Sequence, residues 1–540
     1  MPSQNQLQEW SHSAAEYLHS FPDDHPLQIA LRTYSLALSL SLGPVFATFL
    51  ANPRRRGIAG LLRAIRRELG VTRFASAITV AVAGGATLKS LVTYLEQERP
   101  EFLPQSVRRL LSRVKDVQKT FYANALSAYI AIVLLQSPRS RTSVVSTRKL
   151  HAVAPAQRPS PTLDLTLLVL VRALDAAVRA TLLPQPKVQD VSSTEELKKA
   201  EGRRRTLSAR IDAMVFWASS ARIMWCFFYE PQRLPRSYNR WIMTLANIDP
   251  RILQALRAIR EGKWSYTRKV AVPTDLLSSF SHDLGYPASW GDVTRLPAYG
   301  GPRANASWKT LGVTNRAGRG GIPCELVHGG IGGGSCTANA ALRGVKAFAE
   351  AMLIYLPVHV LPILLTRPHK LARADHLVRT LLSVTRSAAF LSSFVASIWG
   401  AVCLTRTLLL ARLLPGVSHD FWDGPLGCTF AGTLVCGGSI WIEQGRRRGE
   451  MALYVLPRAI RACLPEAFVR SGRRVQLLER IVFVVSLATL LTKSVHDTSS
   501  LRGLSRWALA FVMNGPNAGF WEKKRQDTSD PPSPRAPYTI

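Results

Sequence analysis

The chain has 540 residues and a formal net charge of +34, yet 47% of its residues are hydrophobic. A soluble nucleic-acid binder of this charge would not carry so many apolar runs. The arginine clusters lie between those runs and compose no reading module, so nucleic acid is not an expected partner. A membrane protein with basic loops carries both properties, its positive charge facing anionic lipid or fixing topology.

There are seven cysteines. Cys226, Cys403, Cys428, Cys436 and Cys463 lie in apolar segments, where cysteine acts as a small hydrophobe. An odd number so placed is not a disulfide framework. No Lys or Arg precedes Arg32, whereas Glu9, Glu16, Asp23 and Asp24 do. That pattern argues against a cleaved secretory signal and against a basic presequence. The final Tyr-Thr-Ile is not a peroxisomal matrix address. Any targeting signal is expected to be internal.

Residues 1–28 form a polar N-terminal segment. A first membrane half is expected over 29–268. It opens with Ile29–Ala51, long enough to cross about 30 Å of hydrocarbon. Pro53 and Arg54-Arg55-Arg56 close it, and an amphipathic helix follows to Leu69. Phe74–Leu95 is a second span. Ala77, Ala81 and Gly85 fall four apart on it, a face bare of bulk that lets helices approach closely in lipid. Phe121–Gln136 is a third, shorter span, and 139–161 reads as a Pro/Ser/Arg-rich loop. Leu163–Leu183 carries Asp164, Arg172, Asp175 and Arg179. Charge at membrane depth is costly and faces partners or water. Ile211–Tyr229 carries Arg222 and ends in EPQRLPRSYNRW, suited to an interface.

Over 269–344 the composition turns to Gly, Pro, Ser and Asn, which marks a connecting region; the run Gly329–Gly334 is expected to be flexible. A second membrane half is expected over 345–515. Its first span, Val345–Thr366, holds Glu350 and is expected to kink at Pro357 and Pro362. Leu377–Leu404 holds Arg386. A glycine-rich hairpin follows, in which Cys428, Gly432 and Cys436 again fall four apart, with Glu450 and Arg458 on the returning segment. Arg480–Lys493 and Leu504–Met513 end the half, and 516–540 reads as a disordered tail. The expected fold is all-α: a polytopic integral membrane protein of about eight to ten spans or half-spans in two related helical bundles.

Four matches in common order suggest the relation. Leu31-Arg32-Thr33 matches Val378-Arg379-Thr380, and Gly84-Gly85 matches Gly437-Gly438. DLTLLVLVRALDAA from Asp164 matches EMALYVLPRAIRAC from Glu450, and Ile211–Trp241 resembles Ile481–Trp507. In a carrier built from repeats, Arg172 and Arg458 would pair with Asp164 and Glu450 across the halves. The alternative is that the acids cap helix N-termini and the arginines snorkel.

Few residues point to chemistry. Cys324, His328 and Cys336 form C-x3-H-x7-C. Three soft ligands fall one short of a closed zinc set, so the expectation is a local loop or a thiol pair, with no metal and no cofactor. His359 between two prolines reads as a polar residue at a kink. The glycine run lacks the Lys-Ser/Thr of a phosphate loop. No nucleophile, base and acid come together, so the chain is not expected to be an enzyme.

The order Cys324-x3-His328-x7-Cys336, KAFAEAMLIYLPVHVLPILL from Lys346 and TLLSVTRSAAFLSSF from Thr380 resembles the transmembrane protein 135 (peroxisomal membrane protein 52) family, in a fungal-type form. CFFYEPQRLPRSYNRWI from Cys226 is similar to that family's motif as well. The hairpin from Gly427 is more distantly similar to Tim-type translocases. The resemblance implies a non-enzymatic peroxisomal or mitochondrial membrane protein linked to membrane dynamics and lipid handling. It supplies no catalytic residues. Its partners would be membrane lipids and other organelle membrane proteins. The alternative is a solute or polypeptide translocase with a polar path between the halves.

Overall fold

The computed structural model describes residues 21–137, 160–183, 194–270, 276–465, 468 and 472–515, except 52, 71, 72, 99, 103, 315, 367, 371 and 372. The polar segment through residue 20, the tail from 516 and nearly all of the 139–161 loop lie outside the described residues. The principal helices are α1 (Pro26–Ala51), α2 (Phe74–Gln97), α3 (Asp116–Gln136), α4 (Leu163–Thr181), α5 (Thr194–Tyr229), α6 (Arg236–Ala246), α7 (Cys336–Thr366), α8 (Ala374–Cys403), α9 (Cys428–Cys436), α10 (Gly445–Cys463), α11 (Arg473–His496) and α12 (Gly503–Asn514). Among the described residues there is no strand, only one antiparallel bridge between Ser265 and Val270.

Six stretches are long and apolar enough to cross a bilayer: Pro26–Leu50, Phe74–Gln97, Lys198–Tyr229, Cys336–Leu361, Ala374–Leu413 and Arg473–His496. The chain is therefore an all-α, multi-pass integral membrane protein. The sequence count of eight to ten included half-spans. Of these, Cys428–Ile442 appears as a shorter apolar piece whose α-helix gives way to a 3-10 turn at Gly437. The side chains agree with a lipid solvent: Leu50 and Leu353 are each 76% exposed in the isolated chain. Helix α7 spans both Pro357 and Pro362.

The chain forms two compact units, and they do not follow the two halves read from the sequence. One unit is 1–201 with 467–540; the other is 202–466. In the first, α1 packs on α2, α2 on α3, α11 on both α3 and α4, and α12 on α1 and α11. In the second, α7 packs on α8 and α8 on α9. Trp217 of α5 donates to the Leu434 carbonyl of α9, and Arg222 of α5 donates to the Ala462 carbonyl of α10 at 2.8 Å. Arg343 of α7 donates to Ala246 at the end of α6.

Both units thus use the same six-helix plan. In the first unit α1–α4 come from the first half of the sequence and α11 and α12 from the second; in the second unit α5 and α6 come from the first half and α7–α10 from the second. Buried positions repeat accordingly. Leu163, Thr166, Leu167, Val171, Ala173 and Ala176 are the buried residues of α4. The alignment of Asp164 with Glu450 carries them onto Gly449, Ala452, Leu453, Pro457, Ala459 and Ala462, all buried in α10. In α5 and α11 the buried pairs are Asp212 with Glu479, Phe216 with Phe483, Ser219 with Ser486 and Ile223 with Leu490. In α3 and α9 they are Thr120 with Thr429, Asn124 with Thr433 and Ser127 with Cys436. Two of the sequence matches fall elsewhere. By its packing α1 corresponds to α7, so Leu31 has no counterpart at Val378 of α8. Likewise Gly84 of α2 does not correspond to Gly437 after α9.

The connecting region is a packed insert. Trp264, Tyr266, Trp290 and Trp308 are buried in one cluster with Leu277, Phe280 and Leu296. Burial of each such side chain contributes roughly 1.5–3 kcal/mol, so aromatics supply what the Gly/Pro background lacks. The glycine run is also ordered by its neighbours. Gly329, Gly330, Gly332 and Gly333 hold positive φ, which L side chains rarely adopt. A Cβ on Gly332 would lie 2.7 Å from the Asn339 nitrogen. The turns reverse the chain between a short helix, Cys324–His328, and the start of α7.

Candidate functional site

The small-residue positions act in packing. Ala77 and Ala81 are fully buried. A Cβ on Gly85 would collide with Asn124 of α3, and one on Gly84 would lie 2.5 Å from Ser127 Oγ. Cys428 and Cys436 are buried, and a Cβ on Gly432 would lie 3.1 Å from the Ile398 carbonyl of α8.

Within each unit the charged positions are held by local contacts. Arg172 is half-buried in the first unit. On the same helix Asp175 pairs at 2.7 Å with Arg502, the residue that precedes α12. The other five belong to the second unit. Arg222 lies over the Trp225 ring at 5.0 Å, besides its bond to Ala462. Arg458 lies between the Tyr454 and Tyr238 rings, 3.9 and 5.1 Å from their centroids, and fastens α10 to α6. This stacking, with its carbonyl bond to Tyr454, is a structural use of the guanidinium. Glu350 meets Lys346 at 4.0 Å, and Arg386 is exposed.

Glu450 belongs to a cleft of about 600 Å³ formed by α7, α8 and α10. Tyr355, Val358, Ile363 and Met451 give it apolar wall, while His359, His376, Arg379 and Arg447 bring nitrogen groups to it. His359 Nδ1 donates to the Tyr355 carbonyl at 2.8 Å. Arg447 donates to Ser387 Oγ at 2.9 Å, and that hydroxyl donates to the buried carboxylate of Glu443 at 2.9 Å. Arg379 is exposed in the cleft mouth. The cleft thus joins cationic groups and one carboxylate to a greasy wall, a lining suited to an amphiphile.

The second cluster lies where the insert meets the ends of α7 and α8. The ligand atoms of Cys324, His328 and Cys336 all lie within 4.8 Å of one another, and all three residues are buried. Cys403, the last residue of α8, lies beside the group. It clusters with Cys324 and Cys336, and its sulfur is 3.5 Å from His328 Nε2. His328 Nδ1 donates to the Gly333 carbonyl at 2.7 Å, which leaves the Nε2 lone pair facing the sulfurs. The thiol of Cys324 is pushed up to about 12, first by its hydrogen bond with Cys336 and then by burial. The sequence set a metal aside for want of a fourth ligand. A fourth soft group, Cys403, stands at the end of an apolar helix far along the chain, and its only sign in the sequence was a cysteine in an apolar segment.

Beside the thiols runs a buried charge network that the sequence did not reveal. Arg406 donates to Asp423 at 2.5 and 3.0 Å, and Tyr266 donates to Asp423 at 2.7 Å. A π-helical turn, Leu404–Leu408, carries Arg406 inward. His419, buried 3.8 Å from Asp423, is pushed down to about 4 by loss of water. Arg316 is buried, lies over the Trp308 ring, and donates to the Gly320 carbonyl and, at 3.3 Å, to the Cys324 sulfur.

Comparison of the chain with protein-family models, with curated proteins and with solved structures finds no match.

Proposed function

We propose that this multi-pass protein is a non-enzymatic component of the peroxisomal or mitochondrial membrane that serves membrane dynamics or lipid handling, and that it holds a phospholipid headgroup in the α7–α8–α10 cleft. The observation that carries the reading is the cleft's mixed lining. Arg379 and Arg447 suit a phosphate, Glu450 and Tyr355 suit an ammonium, and Val358, Ile363 and Met451 suit the upper acyl chain. The exposed leucines of α7 continue the apolar surface into lipid. The organelle rests on the resemblance of the Lys346 and Thr380 segments alone.

Native mass spectrometry of the full-length protein, released gently from detergent, tests the site. Wild type should retain about one phospholipid, and Arg379→Ala should lose most of it while keeping its helical circular dichroism. Equal retention by both proteins removes the cleft from the reading. For the cellular role, deletion should alter organelle number or lipid content, and a tagged chain should colocalise with peroxisomal or mitochondrial markers. Unchanged organelles, or residence elsewhere, would overturn it.

A further inference from the structure

We infer that Cys324, His328, Cys336 and Cys403 form a four-coordinate zinc site that clasps the insert onto the ends of α7 and α8. Four observations converge on it. The first is the donor set. Three sulfurs and one imidazole nitrogen are the ligands of a closed structural zinc centre, and soft donors in this number favour zinc over hard cations. The ligand atoms of Cys324, His328 and Cys336 fall within 4.8 Å of one another, and Cys403 Sγ is 3.5 Å from His328 Nε2.

The second is orientation. A ligating histidine commonly donates its other ring nitrogen to a carbonyl, which fixes the tautomer. The His328 Nδ1 bond to Gly333 does this. Gly333 can face inward because the run 329–333 uses left-handed turns, so the glycines seat a ligand.

The third is charge. Three thiolates and one Zn²⁺ leave the centre with one negative charge. Arg316 is buried and forms no salt bridge among the described residues, the Asp423 carboxylate that acts on it from farther off being bonded to Arg406, and it directs Nη1 to the Cys324 sulfur at 3.3 Å. A buried cation aimed at sulfur is costly beside a neutral thiol and is compensated beside a metal thiolate.

The fourth is placement. Cys324 and His328 belong to the insert, Cys336 begins α7 and Cys403 ends α8. One ion would join three segments that are also tied by hydrogen bonds, from Arg343 of α7 to the His328 carbonyl and from Arg319 of the insert to the Thr407 carbonyl. Binding replaces the thiol protons with zinc and releases three protons, with no change of oxidation state. The site does not depend on the lipid reading and uses none of its residues.

The test uses full-length protein purified in detergent and dialysed against metal-free buffer. Elemental analysis should find about one zinc per chain. Replacement by Co²⁺ should give the thiolate-to-metal charge-transfer absorption of a tetrahedral sulfur site. That measurement needs no variant. Cys403→Ser should weaken zinc binding by more than the ~10–100-fold that loss of a supporting contact costs. Cys463→Ser, at an exposed cysteine outside the cluster, should leave it unchanged. Wild type without zinc and without the cobalt band overturns the proposal. So does a Cys324–Cys336 disulfide in the native protein, seen by mass spectrometry.

Discussion

His419 is kept neutral by its surroundings: burial lowers it, and Arg406 and Arg316 oppose its charging, while Asp423 favours it less strongly than burial disfavours it. A folded pKa of about 4, against 6.5 for the unfolded ring, means that the unfolded chain binds the proton first as pH falls. Stability is therefore full above 6.5 and is lost from there down to about 4, by on the order of 3 kcal/mol. Asp423, held low by Arg406, adds a further loss only at lower pH. Scanning fluorimetry of the purified protein should show the unfolding midpoint falling through that window. His419→Gln should flatten the fall. An identical slope in the variant would show that the ring carries no such proton linkage. Nothing in the sequence disclosed this group. His419 and Asp423 fall four apart, but Tyr266 and Arg406 come from the insert and from the turn after an apolar helix, and no local spacing joins them to that pair. Cys403 escaped for the same reason, whereas Cys324, His328 and Cys336 were legible because a short turn brings them together.

At the scale of elements, close packing was the most readable feature. Helix association in lipid depends on small side chains at helical spacing, and that spacing is local. Ala77 and Ala81 are accordingly buried, and at Gly85 and the adjoining Gly84 the α3 residues Asn124 and Ser127 enter the space a Cβ would fill. Gly85→Val should lower the thermal midpoint in detergent, at a cost of about 1–3 kcal/mol from overpacking. Gly43→Ala, on α1 with nothing within 4 Å of the new carbon, should leave the midpoint nearly unchanged. Equal midpoints for the two variants would mean that α2 and α3 separate in detergent. The insert was the least readable element. Its Gly and Pro content resembles a linker, but Trp264, Trp290 and Trp308 lie too far apart to announce a shared core.

At the scale of the molecule, the order of like segments was legible and their assignment to units was not. Like helices carry like buried faces, so the match of α4 with α10 appears in a single chain read by eye. Which copy each face meets depends on tertiary packing. Glu479 of α11 accepts from Thr162 at 2.5 Å, and Arg502 pairs with Asp175, so the last two helices belong with the first four. In the other unit Phe216 meets Phe390 at 5.6 Å between ring centroids, and Trp217 fills the groove at Gly437. A piece cut at the sequence halves, 345–515, would keep that groove and lose the tryptophan that fills it. It would also lack Cys324, His328 and Cys336. Residues 202–466 contain the whole six-helix plan and all four soft ligands. Expressed alone into nanodiscs, 202–466 should resist limited proteolysis and bind zinc as the full chain does, whereas 345–515 should be digested. If instead 345–515 resisted proteolysis and 202–466 did not, the last two helices would belong with their sequence neighbours, and the exchange between units would be wrong.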